Sequence, residues 1–326
     1  MPRILLIKTS SMGDVVHTLP VVGDLRASLP GCHIDWVVEE VFSAVPGLHP
    51  GVDRVIPVSI RRWRKHPFAA RTRREFSDLR SRLRQTRYDE VIDAQGLLKS
   101  AFLAWMANGR SHGFDWKSSR EPLRMFYDQV HAVPWSVHAV ERNRLLASKA
   151  LDYAISGSPI YGIAARPESS ATLESAFPVT GAGQFAVLLH ATSATSKEWP
   201  EHDWARLGEY LAAQGTISVL PFGNAEERQR SERLAAQIPA ARVPPALDLD
   251  QLTALMSRAR IVVGVDTGLT HLAVALGRPT IGLYRATDPV ATGLYGSSVA
   301  VNVGRIGMTP SIDEVADATK LLLETN

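Results

Sequence analysis

Four short stretches gather the side chains able to do chemistry. Residues 8–14 read Lys-Thr-Ser-Ser-Met-Gly-Asp, with hydroxyls at Thr9, Ser10 and Ser11, a glycine at Gly13 and a carboxylate at Asp14. Glycine lets a backbone come close to a ligand, and we place the reacting group on this loop. Asp14 stands at a helix start, where an aspartate is also read as an N-cap worth about 0.5–2 kcal/mol. The loop is neither G-x-G-x-x-G nor G-x-x-x-x-G-K-S, so neither phosphate fingerprint is present. Residues 190–200 carry His190, Thr192, Ser193, Thr195, Ser196 and Lys197 ahead of Pro200. Hydroxyls and a lysine before a helix suit an anion, because helix N-termini attract phosphate; a polar strand-to-helix loop with proline at the helix entry is the plainer reading. Residues 264–271 end an apolar run with Asp266, Thr267 and Gly268 and continue to His271. Their backbone N–H groups form a second anion site by geometry, and His271 is either an interior histidine or a ligand contact. Finally, Arg61-Arg62-Trp63-Arg64-Lys65 places four cations in five residues. That density favours an anionic ligand over a merely solvated loop, since arginine grips carboxylate and phosphate as a fork.

Two tempting metal readings fail. Asp248-Leu249-Asp250 precedes a helical run, so capping and the helix dipole account for both carboxylates. One cysteine and no H-E-x-x-H give no zinc spacing.

The elements that must position these loops follow a βαβα rhythm. Strands are expected at residues 3–8, 33–38, 54–57 and 88–93, with helices at 15–28, 73–85 and 97–107. Pro20 should kink the first helix or mark its early turn. Residues 156–183 turn to Gly, Ser, Pro and Ala and read as irregular structure with a linker. The rhythm restarts with strands at 185–189, 216–220, 261–265 and 280–284, helices at 201–213, 225–236, 250–257 and 269–276, and a tail helix at 311–324. Alternation of this kind predicts parallel sheets covered on both faces. Ligands of such sheets bind beyond the carboxyl ends of the strands.

At 326 residues the chain is long enough for two domains. With 45% hydrophobic and 21% charged residues it has the composition of an ordinary globular protein. A single cysteine, Cys32, rules out an intrachain disulfide and fits a reducing cytoplasm. The opening apolar run is broken by Lys8, too early for a signal peptide, and no run approaches a membrane span of ~20 residues. The net charge is only +3, yet the basic excess is concentrated in the first half, able to meet an anionic membrane, an acidic substrate or nucleic acid. Nucleic acid is the weaker reading, because aromatics are not interleaved as stacking platforms.

Beyond pattern, residues 8–20 resemble the N-terminal signature of the bacterial lipopolysaccharide heptosyltransferases. Residues 61–65, 93–100, Asp115-Trp116 with Arg120-Glu121-Pro122, 138–142, 189–192 with Lys197 and Trp199-Pro200, and 265–272 look like the type I branch of that family. The resemblance runs nearly end to end. It implies a GT-B fold of two Rossmann-like domains: an acceptor-binding domain at 1–160, a linker at 161–183, an ADP-heptose-binding domain at 184–310, and a C-terminal helix at 311–326 packing back on the first domain. It implies an inverting transfer of L-glycero-D-manno-heptose from ADP-heptose to the first Kdo of Kdo2-lipid A, without metal or other cofactor, by a cytoplasmic enzyme peripheral to the inner membrane. Asp14 then matches the general base. Thr192, Ser193 and Lys197 match positions holding the diphosphate. Asp266, Thr267, Gly268 and His271 belong to the donor site, and Glu227 resembles the residue meeting the ribose. Ser11, Gly13, Arg61, Arg62, Arg64, Lys65 and Arg120 are implied on the acceptor side. One departure is clear: Arg285-Ala286-Thr287-Asp288-Pro289 stands where the family often has Gly-Pro-Thr-Asp-Pro. A type II heptosyltransferase and a non-catalytic anion-binding module are the alternatives.

Overall fold

The computed structural model describes residues 1–178, 185–192 and 194–325. It divides into two compact units, Met1–Gly162 and Ile163–Asn326.

In the first unit the chain runs β1 (Arg3–Ile7), α1 (Met12–Val16), α2 (Leu19–Ser28), β2 (His33–Glu39), α3 (Ala44–Gly47), β3 (Arg54–Val58), α4 (Ile60–Lys65), α5 (Ala70–Gln85), β4 (Arg87–Asp93), α6 (Leu98–Met106), β5 (Asn108–Phe114), β6 (Gln129–His131) and α7 (Ala139–Leu151). Its six strands are parallel in the order β3-β2-β1-β4-β5-β6. This is the doubly wound order with a switch point between β1 and β4. Ile7 pairs with Asp93 there, so residues 8–14 and 94–99 leave the sheet side by side. The apolar runs of β1 and β2 are buried because helices cover both faces. Leu5, Ile7, Val37, Val91, Leu79 and Leu103 meet in one core. The helix expected across residues 15–28 is two helices, α1 and α2, with Pro20 at the second position of α2. Proline is tolerated there because that N–H has no partner within the helix.

The second unit runs α8 (Pro167–Ala176), β7 (Phe185–Leu189), α9 (Glu201–Ala213), β8 (Ile217–Val219), α10 (Ala225–Ala235), α11 (Leu249–Ser257), β9 (Ile261–Val265), α12 (Gly268–Ala275), β10 (Thr280–Tyr284), α13 (Pro289–Thr292), β11 (Ala300–Gly304) and α14 (Ile312–Thr325). Its parallel sheet has the order β11-β10-β9-β7-β8, with the switch point between β7 and β9.

One expectation is corrected here. The stretch read as irregular linker contains α8, ten residues entered through Pro167 and packed on α11, with Leu173 fully buried. Residues 179–183 of that expected linker lie outside the described residues. The tail helix α14 lays Val315, Ala318 and Leu322 into the second unit's core, against α9 and strands β9 to β11. Its apolar stripe is satisfied by the nearest sheet face.

Candidate active site

In the first unit the loop after β1 is held by its neighbour across the switch point. Gln95 Oε1 accepts from the Thr9 N–H at 3.0 Å, the Thr9 hydroxyl at 3.3 Å and the Ser10 N–H at 2.9 Å. Lys99 Nζ donates to Ser10 Oγ at 2.8 Å, and Lys8 Nζ donates to the Ala94 carbonyl at 2.8 Å. Gln95 is itself fixed by Asp93, whose Oδ1 accepts from the N–H groups of Gln95 and Gly96. Gly96 needs its positive φ of 64°, and a Cβ there would meet the Phe114 ring at 3.0 Å.

Asp14 is not the N-cap. Ser11 holds that position, and Asp14 is the third residue of the capping box, its Oδ2 accepting from the Ser11 N–H and hydroxyl at 2.8 Å each. The carboxylate thus points back over the loop at the head of α1. Gly13 lies within α1 as its second residue. Burial lowers the Lys8 ammonium's pKa, with Asp14 and Asp93 opposing it and Arg142 and Arg120 adding to it. Burial likewise lowers that of Lys99, opposed by Glu39 and reinforced by Arg61 and Arg64. Through these fields the cations of α4 and Arg120 act on the same loop that carries Asp14.

The α4 cations are not equivalent. Arg61, Arg64 and Lys65 are exposed, and Arg61 stacks over Phe42 at 5.1 Å. Arg62, expected on the acceptor, is committed elsewhere: it bridges Glu75 at 2.9 Å and Glu40 at 3.3 Å and donates to Ser59. The Trp63 indole and Arg71 also donate to Glu75, and with Arg62 they draw its carboxyl down to about 2. The depression of about 380 Å³ between α4 and α5 is lined by these paired groups and is therefore poorly suited to an anion. Arg120 is exposed and lies 5.9 Å from the Trp135 ring.

In the second unit the loops after β7, β9 and β10 converge on Asp266. Its Oδ2 accepts from Lys197 Nζ at 2.6 Å and the Thr287 hydroxyl at 2.6 Å, and His271 Nε2 lies 3.6 Å from Oδ1. Burial pushes the Asp266 pKa up, but hydrogen bonds from His271, Lys197 and Thr287 outweigh it and hold the carboxyl far below its ordinary range. Thr192 Oγ1 reaches the Asp266 carbonyl at 3.5 Å. Thr267 caps α12 and Gly268 opens it. The preceding strand fits closely under this helix: a Cβ on Gly264 would strike Thr270 Oγ1 at 2.3 Å. Ser193 lies outside the described residues.

Glu227 is not part of this cluster's hydrogen bonding. It sits in the first turn of α10, accepting from the Gly223 N–H at 2.7 Å and from Asn224 Nδ2 at 2.8 Å. Asp248 caps α11 as expected, and Asp250 stands in its first turn. Asp248 accepts from the Gln251 N–H at 2.8 Å, and Asp250 pairs with Arg166 at 3.1 Å.

Sequence reasoning assigned no role to Gln95, Lys99 or Thr287. The signal was there: Gln95 and Thr287 stand on loops at a switch point or beside one, and Lys99 stands in the first turn of the helix that follows. Arg285, the departure noted above, donates to the Glu198 carbonyl at 2.7 Å and so ties the β10 loop to the β7 loop that carries Lys197.

The profile of glycosyltransferase family 9 (heptosyltransferase) matches residues 76–321. Lipopolysaccharide heptosyltransferase 1 of Escherichia coli (strain K12) is 44% identical over 307 residues, 92% of each chain. The solved structures of E. coli heptosyltransferase WaaC with ADP and with ADP-2-deoxy-2-fluoro heptose superpose at TM-scores of 0.87 and 0.85, each at 41% identity and over 99% of both chains. The fold is that of the GT-B glycosyltransferases. Within that class the chain belongs to glycosyltransferase family 9, the heptosyltransferases.

Proposed function

We propose that this heptosyltransferase moves L-glycero-D-manno-heptose from ADP-heptose to the first Kdo of Kdo2-lipid A, with inversion at the anomeric carbon. The observation that carries this reading is that each unit holds its own switch-point site, a carboxylate held over a cation-flanked loop in the first and a lysine–aspartate pair beside a helix N-terminus in the second. Asp14 takes the proton from the attacking Kdo hydroxyl as its oxygen bonds to the anomeric carbon and the bond to the ADP phosphate breaks. Because a carboxylate is a weak base towards an alcohol, proton transfer runs late. Lys197 has three donors, of which one engages Asp266. The others meet the leaving diphosphate together with Thr192, Ser193 and the N–H groups of Thr267 and Gly268. Preorganised charge of this kind replaces a metal, and none is required. His271 supports Asp266, and Glu227 takes the ribose hydroxyls on exchanging its present partners. On the acceptor side Arg61, Arg64, Lys65 and Arg120 receive the carboxylates and phosphates, with Ser11 and Gly13 lining the loop.

The acceptor is membrane-borne, so the enzyme works as a peripheral protein on the cytoplasmic face of the inner membrane. Among the described residues no helix is long and apolar enough to cross a membrane.

The test is transfer from ADP-heptose to Kdo2-lipid A with a chelator present. Product formation in wild type is expected, with Asp14→Asn lowering kcat by about 10²–10⁴-fold while ADP-heptose binding and the melting temperature hold. Asparagine keeps an acceptor oxygen for Ser11, so full turnover by Asp14→Asn overturns the base assignment. Transfer only onto an already heptosylated core moves the chain to a type II role.

A further inference from the structure

The first unit presents an apolar stripe to solvent on α6. Leu98, Phe102 and Trp105, spaced i, i+4 and i+7, are 55%, 38% and 58% exposed, while Ala101, Leu103, Ala104 and Met106 on the opposite side are buried. A solvated helix normally shows charge on that face, and a contiguous apolar patch marks a contact surface. The stripe continues on both sides. Phe102 stacks on Trp105 at 5.6 Å and on Phe76 of α5 at 6.2 Å. Met125, 81% exposed, lies on the short turn Arg124–Phe126 that packs against α6.

The flank supplied by α5 is basic. Residues 60–85 hold ten Lys and Arg against two acidic residues, a net of +8 where the whole chain carries +3. Arg73 and Arg80 stand three residues before and four after Phe76, on its side of the helix. They are exposed, as are Arg74 and Arg84, and none of the four has an ion-pair partner among the described residues. Aromatic side chains with unpaired arginines beside them match an anionic bilayer. The rings enter the headgroup boundary and the guanidinium groups meet lipid phosphates.

We propose that the α5–α6 face seats the enzyme on anionic phospholipid, and that the bilayer itself is its partner. This assigns the peripheral contact suggested above to one surface, separate from Asp14 and its loop. Phe102 and Trp105 are the exposed rings of this face, and Phe76, half-buried against Trp63 and the first unit's core, backs them.

The experiment is flotation of the full chain with vesicles of phosphatidylcholine alone or with phosphatidylglycerol at about a third of the lipid, both without Kdo2-lipid A. Failure here is thereby distinct from failure of the transferase reading. Wild type should float with the anionic vesicles and not with the neutral ones, and less so at high salt. The pairs Trp105→Ser with Met125→Ser, and Arg73→Glu with Arg80→Glu, should each weaken the partition at least tenfold. Both sets lie at exposed positions, and retained ADP-heptose binding checks their fold. Equal flotation of wild type with neutral vesicles, or of both variant pairs with anionic ones, overturns the proposal. So does a wild-type dimer in sedimentation that either pair converts to monomer, which gives the face to a second copy of the chain.

Discussion

At the scale of the residue, each unit's candidate site turns on one carboxylate, and the two are held in opposite ways. Asp14 spends one oxygen on the Ser11 N–H and hydroxyl, a local tie three residues long. Asp266 is gripped by partners from two loops and from α12, 69, 21 and 5 residues away in sequence for Lys197, Thr287 and His271. Those hydrogen bonds keep Asp266 charged. Gln95 carries the less visible role, collecting three donors from Thr9 and Ser10 on one oxygen. Gln95→Leu keeps the volume and strands those donors. We expect a stability loss of about 1–3 kcal/mol and a fall in kcat of about tenfold or more as the loop shifts, with ADP-heptose affinity unchanged. Urea unfolding and steady-state kinetics read both, and an unaltered kcat dismisses Gln95 as a positioning residue.

At the scale of the element, the strand ends matter more than the helices. Ile7 beside Asp93, and Leu189 beside Gly264, set which loops can touch. Helices act as braces, and α14 shows it. Leu322 sits in the second unit's core beside Val315 and Ala318. Trp199 donates to the carbonyl of Pro310 just ahead of the helix, at 2.8 Å. Leu322→Ala should therefore cost about 2–4 kcal/mol by urea denaturation. A cost below about 1 kcal/mol would remove α14 from that core.

At the scale of the whole molecule, burial shields a histidine in each unit strongly from protons. Burial draws His49 in the first unit and His190 in the second down to about 4, with Arg26 and Arg230 respectively adding to the effect. Ser231 Oγ lies 2.8 Å from His190 Nε2. In the unfolded chain both titrate near 6.5. Between those values the unfolded chain binds protons that the folded one refuses. Stability is thus full above pH ~6.5 and falls as the pH drops towards about 4. Each histidine contributes a slope of up to about 1.4 kcal/mol per pH unit. Denaturation midpoints at pH 7, 6 and 5 should fall in that order, and His190→Gln should flatten the slope. A variant with the wild-type slope would show that His190 takes no part.

How much of this was legible varied with the kind of signal. β7, β9 and β10 were placed to the residue, because buried parallel strands are continuous apolar runs with little else to mimic them. β5 and β6 were missed: Asn-Gly-Arg-Ser-His-Gly-Phe and Gln-Val-His lack such a run. Their pairing is set by the sheet beside them, and β6, at the sheet edge, tolerates polar residues. Likewise α8 hid in a Ser- and Ala-rich stretch whose helicity depends on packing against α11. Of the site, the sequence by itself determined the residue types at the strand ends: Asp14, Lys197, Asp266 and the cations of α4. The tertiary structure decided their partners: that Arg62 is committed to Glu40 and Glu75, that Glu227 is held by Gly223 and Asn224 in the first turn of α10, and that Thr287 joins Lys197 on Asp266. The physical reason is range. Strand and helix signals are carried by neighbours within a few residues, whereas a hydrogen bond between loops depends on which strands lie side by side, and only the folded sheet sets that order.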